Sequence, residues 1–308
     1  MKIFSVTLLL IIAICATALF AGLSNGEANN DWCEEIVYSN KNDIFVRNMK
    51  SDKTDPFVDV KLTGKSYNPD WINKDEIVVD CVDRANAIIG YIDIFNRRTN
   101  KIKRLYDKTM SEQPSMSFDK KSVAFLCGNQ REFDEKFKFD LCVSPVIGDG
   151  LKRYQLLLER YRPAWFPNGY ELALTGGDDT VTGDEYIYIY NTKTKNITRV
   201  VEGVAPAISP DGKYMAYLKL RRTSTKADLM LLELSSRKEV VLVSNEPLKG
   251  SSSNSPRWTP DGSHILYTRY AAILLPPEKH TLEAYSLEKH TTTSIFQVSN
   301  KVVGFSCR

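Results

Sequence analysis

The residues of this chain that could do chemistry are few. Its 308 residues include three histidines, His264, His280 and His290. His264 follows Asp261-Gly262 in what reads as a turn, where it is expected to be solvated. His280 and His290 flank one predicted strand at opposite ends, so they are not expected to share a metal ion. Imidazole is the usual proton shuttle near neutral pH and the commonest metal ligand, and this supply is poor for either use. No Gly-x-Ser-x-Gly elbow is present, which removes the common hydrolase nucleophile. The cluster Gly250-Ser251-Ser252-Ser253 reads as a linker. Residues 176–185 are acidic and glycine-rich and could offer oxygens to calcium, but without EF-hand spacing. A solvated hairpin loop is the expectation there. No catalytic residue, metal site or cofactor site is assigned.

Residues 1–26 read as a secretory signal. Lys2 is the single charge, residues 3–14 are apolar, and the small residues Ala16, Ala18, Ala21 and Gly22 follow. Left uncleaved, residues 3–23 would approach the ~20 residues needed to span a bilayer and would anchor the chain. Export to the periplasm or the exterior is expected, and export permits disulfides. Beyond the signal lie Cys33, Cys81, Cys127, Cys142 and Cys307, an odd number that leaves at least one thiol unpaired. None has zinc-type spacing. Lys plus Arg number 41 against 38 Asp plus Glu, and this near-balance argues against a nucleic-acid groove.

The elements that must position any site come from a phrase repeated five times. It runs Pro-x-(bulky)-x-(Pro or Phe)-(Asp or Asn)-(Gly or Lys), followed by an apolar burst, and its first copy is the loosest. The copies begin at Pro69, Pro114, Pro163, Pro206 and Pro256, at intervals of 45, 49, 43 and 50 residues. Such a period, with short strands and turn residues, marks a β-propeller. The copy at Pro206 predicts strands at 207–209, 214–218, 228–234 and 240–243, with a Pro210-Asp211-Gly212 turn after the first. Unbroken apolarity from Tyr214 to Leu218 means that both faces of the strand are covered, as in a blade held between two neighbours. The bulky residues Trp71, Met116, Trp165, Ile208 and Trp258 are expected to wedge between blades as core.

The chain ends supply a further blade. Residues 36–38, 43–46 and 58–63 read as its second, third and fourth strands. Residues 302–306 read as its first, with Phe305-Ser306 aligned on Ile208-Ser209. The expected fold is all-β: a six-bladed propeller of four-stranded blades over residues 27–308, with the ring closed by the C-terminal strand. The same alignment puts Cys307 at Pro210 and Cys33 at Gly212, two positions apart across a tight turn. Cα atoms so placed are roughly 5–7 Å apart, within reach of a disulfide, so a Cys33–Cys307 bridge is expected. Cys127 and Cys142 lie on adjacent strands of one blade and could also pair, which would leave Cys81 free.

The repeats are clearest at Ser209-Pro210-Asp211-Gly212 and Thr259-Pro260-Asp261-Gly262, and they resemble the TolB-type propeller repeat over residues 33–308. The resemblance implies a fold and not a function, because the repeated residues are structural. TolB proteins carry an additional N-terminal α/β domain, for which no stretch is seen between the signal and the first strand. Some propellers similar to this one are lyases that use His and a divalent metal.

Partner binding is expected on the face bearing the long loops between second and third strands. Residues 127–138 are highly charged, and residues 271–277 are an apolar run in a loop, which is expected to pack down or meet a partner. Ile273, Leu274 and Leu275 are the candidate partner-binding residues. The expected function is an exported or envelope-associated, monomeric, non-enzymatic recognition module for a protein or peptide, with no nucleic acid. The alternative is a propeller enzyme, a lyase or hydrolase, acting on a sugar or peptide derivative at the channel mouth.

Overall fold

The second strand of the Pro206 repeat shows how this sequence builds its core. In the strand Tyr214–Leu220 the central residues 215–218 are buried and the ends are half-buried. Successive side chains of a strand point to opposite faces. Met215 and Tyr217 therefore pack with Ala173 and Ile187 on one side, and Ala216 and Leu218 pack with Ile265 and Tyr267 on the other. One apolar strand thus serves two interfaces, and each fully buried side chain of this size contributes about 1.5–3 kcal/mol.

The computed structural model describes residues 31–40, 43–57, 64–66, 68–83, 90–108, 110–128, 138–177, 184–221, 226–246, 255–271, 279–298 and 302–308. Outside them lie the expected signal, the candidate residues Ile273, Leu274 and Leu275, the strand expected at 58–63 and residues 178–183 of the acidic loop. The regular elements among the described residues are all β-strands, and Trp32–Arg308 forms one compact unit.

Within each repeat the strands pair antiparallel in chain order. Val204–Ile208, Tyr214–Leu220, Ala227–Glu233 and Glu239–Glu246 form one sheet, and Arg257–Trp258, His264–Ala271, Lys279–Ser286 and Thr291–Val298 another. Gly64–Ser66 and Asp70–Trp71 both pair with Glu76–Asp83, which is followed by Gly90–Asn96 and Lys101–Tyr106. The Pro114 and Pro163 repeats share a larger sheet. Ser111–Met116, Ser122–Gly128, Phe139–Pro145 and Lys152–Leu158 are joined through the single pair Leu158↔Gly176 to Ala164–Trp165, Glu171–Gly177, Glu185–Asn191 and Ile197–Glu202. The observed first strand of the Pro206 repeat starts before the proline and stops at Ile208, not at residue 209. Ser209 is withdrawn because its side chain caps the turn.

That turn explains the repeated phrase. Ser209 Oγ donates to Asp211 Oδ1 at 2.6 Å and accepts from Tyr214 N at 2.9 Å. Asp211 Oδ1 also accepts from Lys213 N at 3.0 Å. Gly212 sits at φ 72°, where a side chain would be strained. The copy at Thr259-Pro260-Asp261-Gly262 repeats these contacts, with Thr259 Oγ1 to Asp261 Oδ1 at 2.6 Å. In the Pro114 copy Lys120 replaces the glycine and adopts φ 60°.

At the chain ends, Val302–Cys307 pairs with Glu35–Asn40, which pairs with Asp43–Asn48 and then Thr54–Pro56. The outer strand is thus Thr54–Pro56, where residues 58–63 were expected. The expected register of the C-terminal strand also needs correction. Cys307 lies opposite Ile36 as Ile208 lies opposite Met215, so Cys307 takes the place of Ile208 and Arg308 that of Ser209. The slip is two residues. A two-residue slip keeps every side chain on its face, which is why the apolar pattern could not reveal it. Cys33 and Cys307 form a disulfide with Cα atoms 5.9 Å apart, Cys127 and Cys142 form a second, and the buried Cys81 belongs to neither.

Apolar clusters lie between neighbouring sheets. Val37 and Phe57 meet Trp71 and Ile77, Val78 and Ile92 meet Val123 and Phe125, and Leu126 and Leu141 meet Trp165 and Leu172. Ile36 and Phe305 from the chain ends pack with Leu266 and Leu282 of the last repeat.

Candidate functional site

The short first strands converge on one cavity of about 520 Å³. Its wall takes residues from each repeat: Asp70-Trp71, Ser115-Met116, Arg162 to Trp165, Pro206 to Ile208, Arg257-Trp258 and Ser306 to Arg308. Asn73, Phe118, Pro210 and Pro260 from the first-to-second-strand turns also line it, so it opens at the turn end. Phe118 is an exposed aromatic there.

Three tryptophans hold the wall together. Trp71 Nε1 donates to Ser306 O at 3.1 Å, Trp165 Nε1 to Ser115 O at 3.0 Å and Trp258 Nε1 to Ala207 O at 2.9 Å. Each acceptor lies on the first strand of the preceding repeat, or on the C-terminal strand in the case of Trp71. These indoles are wedges between repeats. Their polar edge is satisfied, as burial of a Trp N–H demands.

Asp70 is the polar hub. Its carboxylate accepts from Met116 N at 2.8 Å, from Ser306 Oγ at 2.7 Å and from Arg162 Nη2. The donors come from three other repeats. Burial alone would raise its pKa, but Arg162, Lys120, Ser306 Oγ and Met116 N together hold it below the usual aspartate value. A second buried carboxylate, Asp80, accepts from Asn68 N at 2.7 Å, Asn68 Nδ2 at 2.9 Å and Gln113 N at 3.0 Å, and burial raises its pKa. Burial also pushes Glu112 up to about 7 against the pull of Arg160, and nearby Asp80 adds to the rise.

Two guanidinium groups line the same cavity. Arg162 pairs with Asp70 through Nη2, and its Nε has no hydrogen-bond partner. Arg257 donates from Nη1 only to its neighbour's carbonyl, Pro256 O, at 3.1 Å, and its Nε is also unpartnered. Burial and the Arg162 charge push Arg257 well below the usual arginine range, with Asp70 pulling the other way.

The histidines are dispersed. His264 opens a strand, stacks on Trp32 at 4.7 Å and contacts Ser263 Oγ through Nδ1 at 2.7 Å, so it is half-buried and not fully solvated. His280 is buried at the other end of that sheet, opposite Tyr270. His290 lies in the turn after Ser286 and reaches Tyr285 Oη at 3.5 Å. Among the described residues no three His, Cys, Asp or Glu side chains converge as a metal site.

Sequence reasoning passed over Asp70, Arg162 and Arg257. The signal was the residue on either side of the repeat's proline. At the position after the proline the copies carry Asp70, Ser115, Ala164, Ala207 and Arg257. Small residues interrupted by charges mark a wall around a space.

No protein-family model and no curated protein sequence matches the chain. Among solved structures it is similar to TolB from Acinetobacter baumannii, with TM-score 0.72 and 14% identity over 89% of this chain and 66% of that one. It is also similar to a protein described as TolB from Agrobacterium tumefaciens, with TM-score 0.63 and 13% identity over 87% and 90% of the two chains. An oligogalacturonate lyase in complex with manganese follows at TM-score 0.58 and 12% identity over 83% and 75%. The chain spans just under two thirds of the Acinetobacter protein, and at these identities the likeness is one of fold. The fold of this chain is that of the TolB-like β-propellers.

Proposed function

We propose that this chain is an exported, non-enzymatic recognition module that binds a peptide segment of a protein partner. In this reading six four-stranded blades close a ring, and residues Val302–Cys307 complete the N-terminal blade. The cluster joining Ile36 and Phe305 to Leu266 and Leu282 supports closure. Two disulfides support an oxidising compartment.

The observation that carries the function is the cavity at the turn end. It is of the size that ligand pockets reach, and its rim presents the exposed Phe118. The polar side chains Asp70, Trp71, Trp165 and Trp258 are engaged in bonds between repeats, which suits a rigid receptor better than a reacting centre. Preorganised walls favour binding because little order is lost. The cavity is lined from the turns between first and second strands, whereas the sequence pointed to the loops between second and third strands.

Peptides displayed on phage and selected on the folded protein should converge on one consensus. The synthetic consensus peptide should perturb tryptophan fluorescence, and Phe118→Ala should weaken it at least about tenfold, as aromatic hot spots do, with the melting temperature unchanged. Failure to select any consensus, or full binding by the Phe118→Ala protein, would refute the reading. The lyase likeness favours a second reading, an enzyme acting on a sugar derivative. One tightly bound manganese per chain, together with cleavage of oligogalacturonate, would establish that reading instead.

A further inference from the structure

We propose that the cavity takes a carboxylate group of the peptide ligand, held by the Arg257 guanidinium with Arg162 beside it. The inference rests on the peptide-binding reading and names the anchoring group. Its first ground is the lack of a counter-ion. Among the described residues Arg257 has no carboxylate partner, and its hydrogen bonding is limited to the adjacent Pro256 carbonyl. Arg162 brings a second unpartnered Nε to the same wall.

The second ground is charge. The cavity's charged lining is Asp70 against Lys74, Lys120, Arg162, Arg257 and Arg308. Arg308 is matched by Glu34 and Glu35, and Arg162 by Asp70. Arg257 and the two lysines remain in surplus. Lys120 Nζ is already turned to Trp71 O at 2.8 Å, which leaves Arg257 as the deepest available cation. An arginine cannot relieve its burial by losing a proton, and an unpaired charge away from bulk water is costly. The burial and like-charge repulsion acting on Arg257 express that cost. An anion entering the cavity removes it.

The third ground is shape. A guanidinium offers parallel N–H donors that match the two oxygens of a carboxylate. The flanking Trp165, Trp258, Met116 and Phe118 suit the organic body that carries the acid.

The test uses three small probes at constant ionic strength, read by calorimetry and tryptophan fluorescence. N-acetyl-leucine presents a terminal carboxylate, N-acetyl-glutamic acid α-amide a side-chain one, and N-acetyl-leucinamide neither. At least one acid should bind, and which one does identifies the source of the carboxylate; the neutral amide should not bind. Arg257→Gln should weaken the acid by about 10- to 100-fold, the range for hydrogen bonds to a charged group. Without ligand, Arg257→Met should melt no lower than the parent. Equal binding of acid and amide, undiminished binding by Arg257→Gln, or a clear fall in the melting temperature of Arg257→Met would each overturn the proposal. Acid binding without any selectable peptide would uphold this subsite and sink the peptide reading. Selected peptides indifferent to Arg257 and to their own carboxylates would do the reverse.

Discussion

Replacing Asp70 with Asn should cost this fold a large share of its stability. The carboxylate accepts from Met116 N, Ser306 Oγ and Arg162 Nη2, and so ties its own repeat to three others. Asn keeps one acceptor oxygen, turns a donor toward these donors, and leaves Arg162 buried without its charge partner. Removing one member of a buried pair costs about 3–5 kcal/mol, a substantial part of the 5–15 kcal/mol typical of folded proteins. Urea unfolding at pH 7 should show that loss. The double variant Asp70→Asn, Arg162→Met should lose less than the sum of the two single losses, because its orphaned charge is gone. The pH dependence gives a second check. The pKa of Asp70 is depressed in the folded protein. Its contribution is therefore full above the unfolded-state value near 3.8 and is lost as pH falls through the lower folded value. Parent and Asp70→Asn should converge in stability only in that acid range. A loss under ~1 kcal/mol at pH 7 would refute the hub, and so would a gap that persists unchanged at the lowest pH at which both proteins fold.

Two further outcomes follow from the turns and the clasp. Gly212→Ala should cost about 1–2 kcal/mol, since φ 72° strains any L-residue and the new Cβ would sit 3.2 Å from Pro167 Cδ. Gly262→Ala meets Pro210 Cδ only at 3.5 Å and should cost about 1 kcal/mol; equal losses in denaturant titrations would refute the steric difference. The Cys33–Cys307 bond closes a separation of 274 residues and the Cys127–Cys142 bond one of 15. In the chain-entropy model, Ser replacement of the first pair should cost on the order of 5 kcal/mol and of the second about 3, and calorimetry showing the reverse order would contradict that ranking.

The all-β architecture was legible because each repeat states it locally. Asp211 and Asp261 bond the backbone of their own turns, and the run from Tyr214 to Leu218 declares two covered faces by its unbroken apolarity. Such signals need no distant partner. The register of Val302–Cys307 was not legible, since a slip of two leaves Phe305 and Cys307 on the same face. The outer strand at Thr54–Pro56 was missed for a related reason. Its residues are exposed, so no apolar pattern marks it, whereas the apolar residues just after it drew the assignment.

The candidate site was illegible for a different reason, which bears on what the site is for. The scaffold asks little of the position after each repeat's proline: a small side chain, or a polar one whose bonds are met. Ser115, Ala164 and Ala207 satisfy it by size. Asp70 satisfies it by drawing donors from three other repeats, so its charge is explained by the fold. Arg257 satisfies it in neither way. It is large and charged, its one hydrogen bond among the described residues goes to the carbonyl of the residue before it, and its guanidinium otherwise lies over the Phe305 ring at 5.8 Å, with no carboxylate partner. A residue that the scaffold neither requires nor neutralises is the natural place for a ligand to complete the structure. The proposed carboxylate would meet Arg257, whose Nε has no hydrogen-bond partner among the described residues.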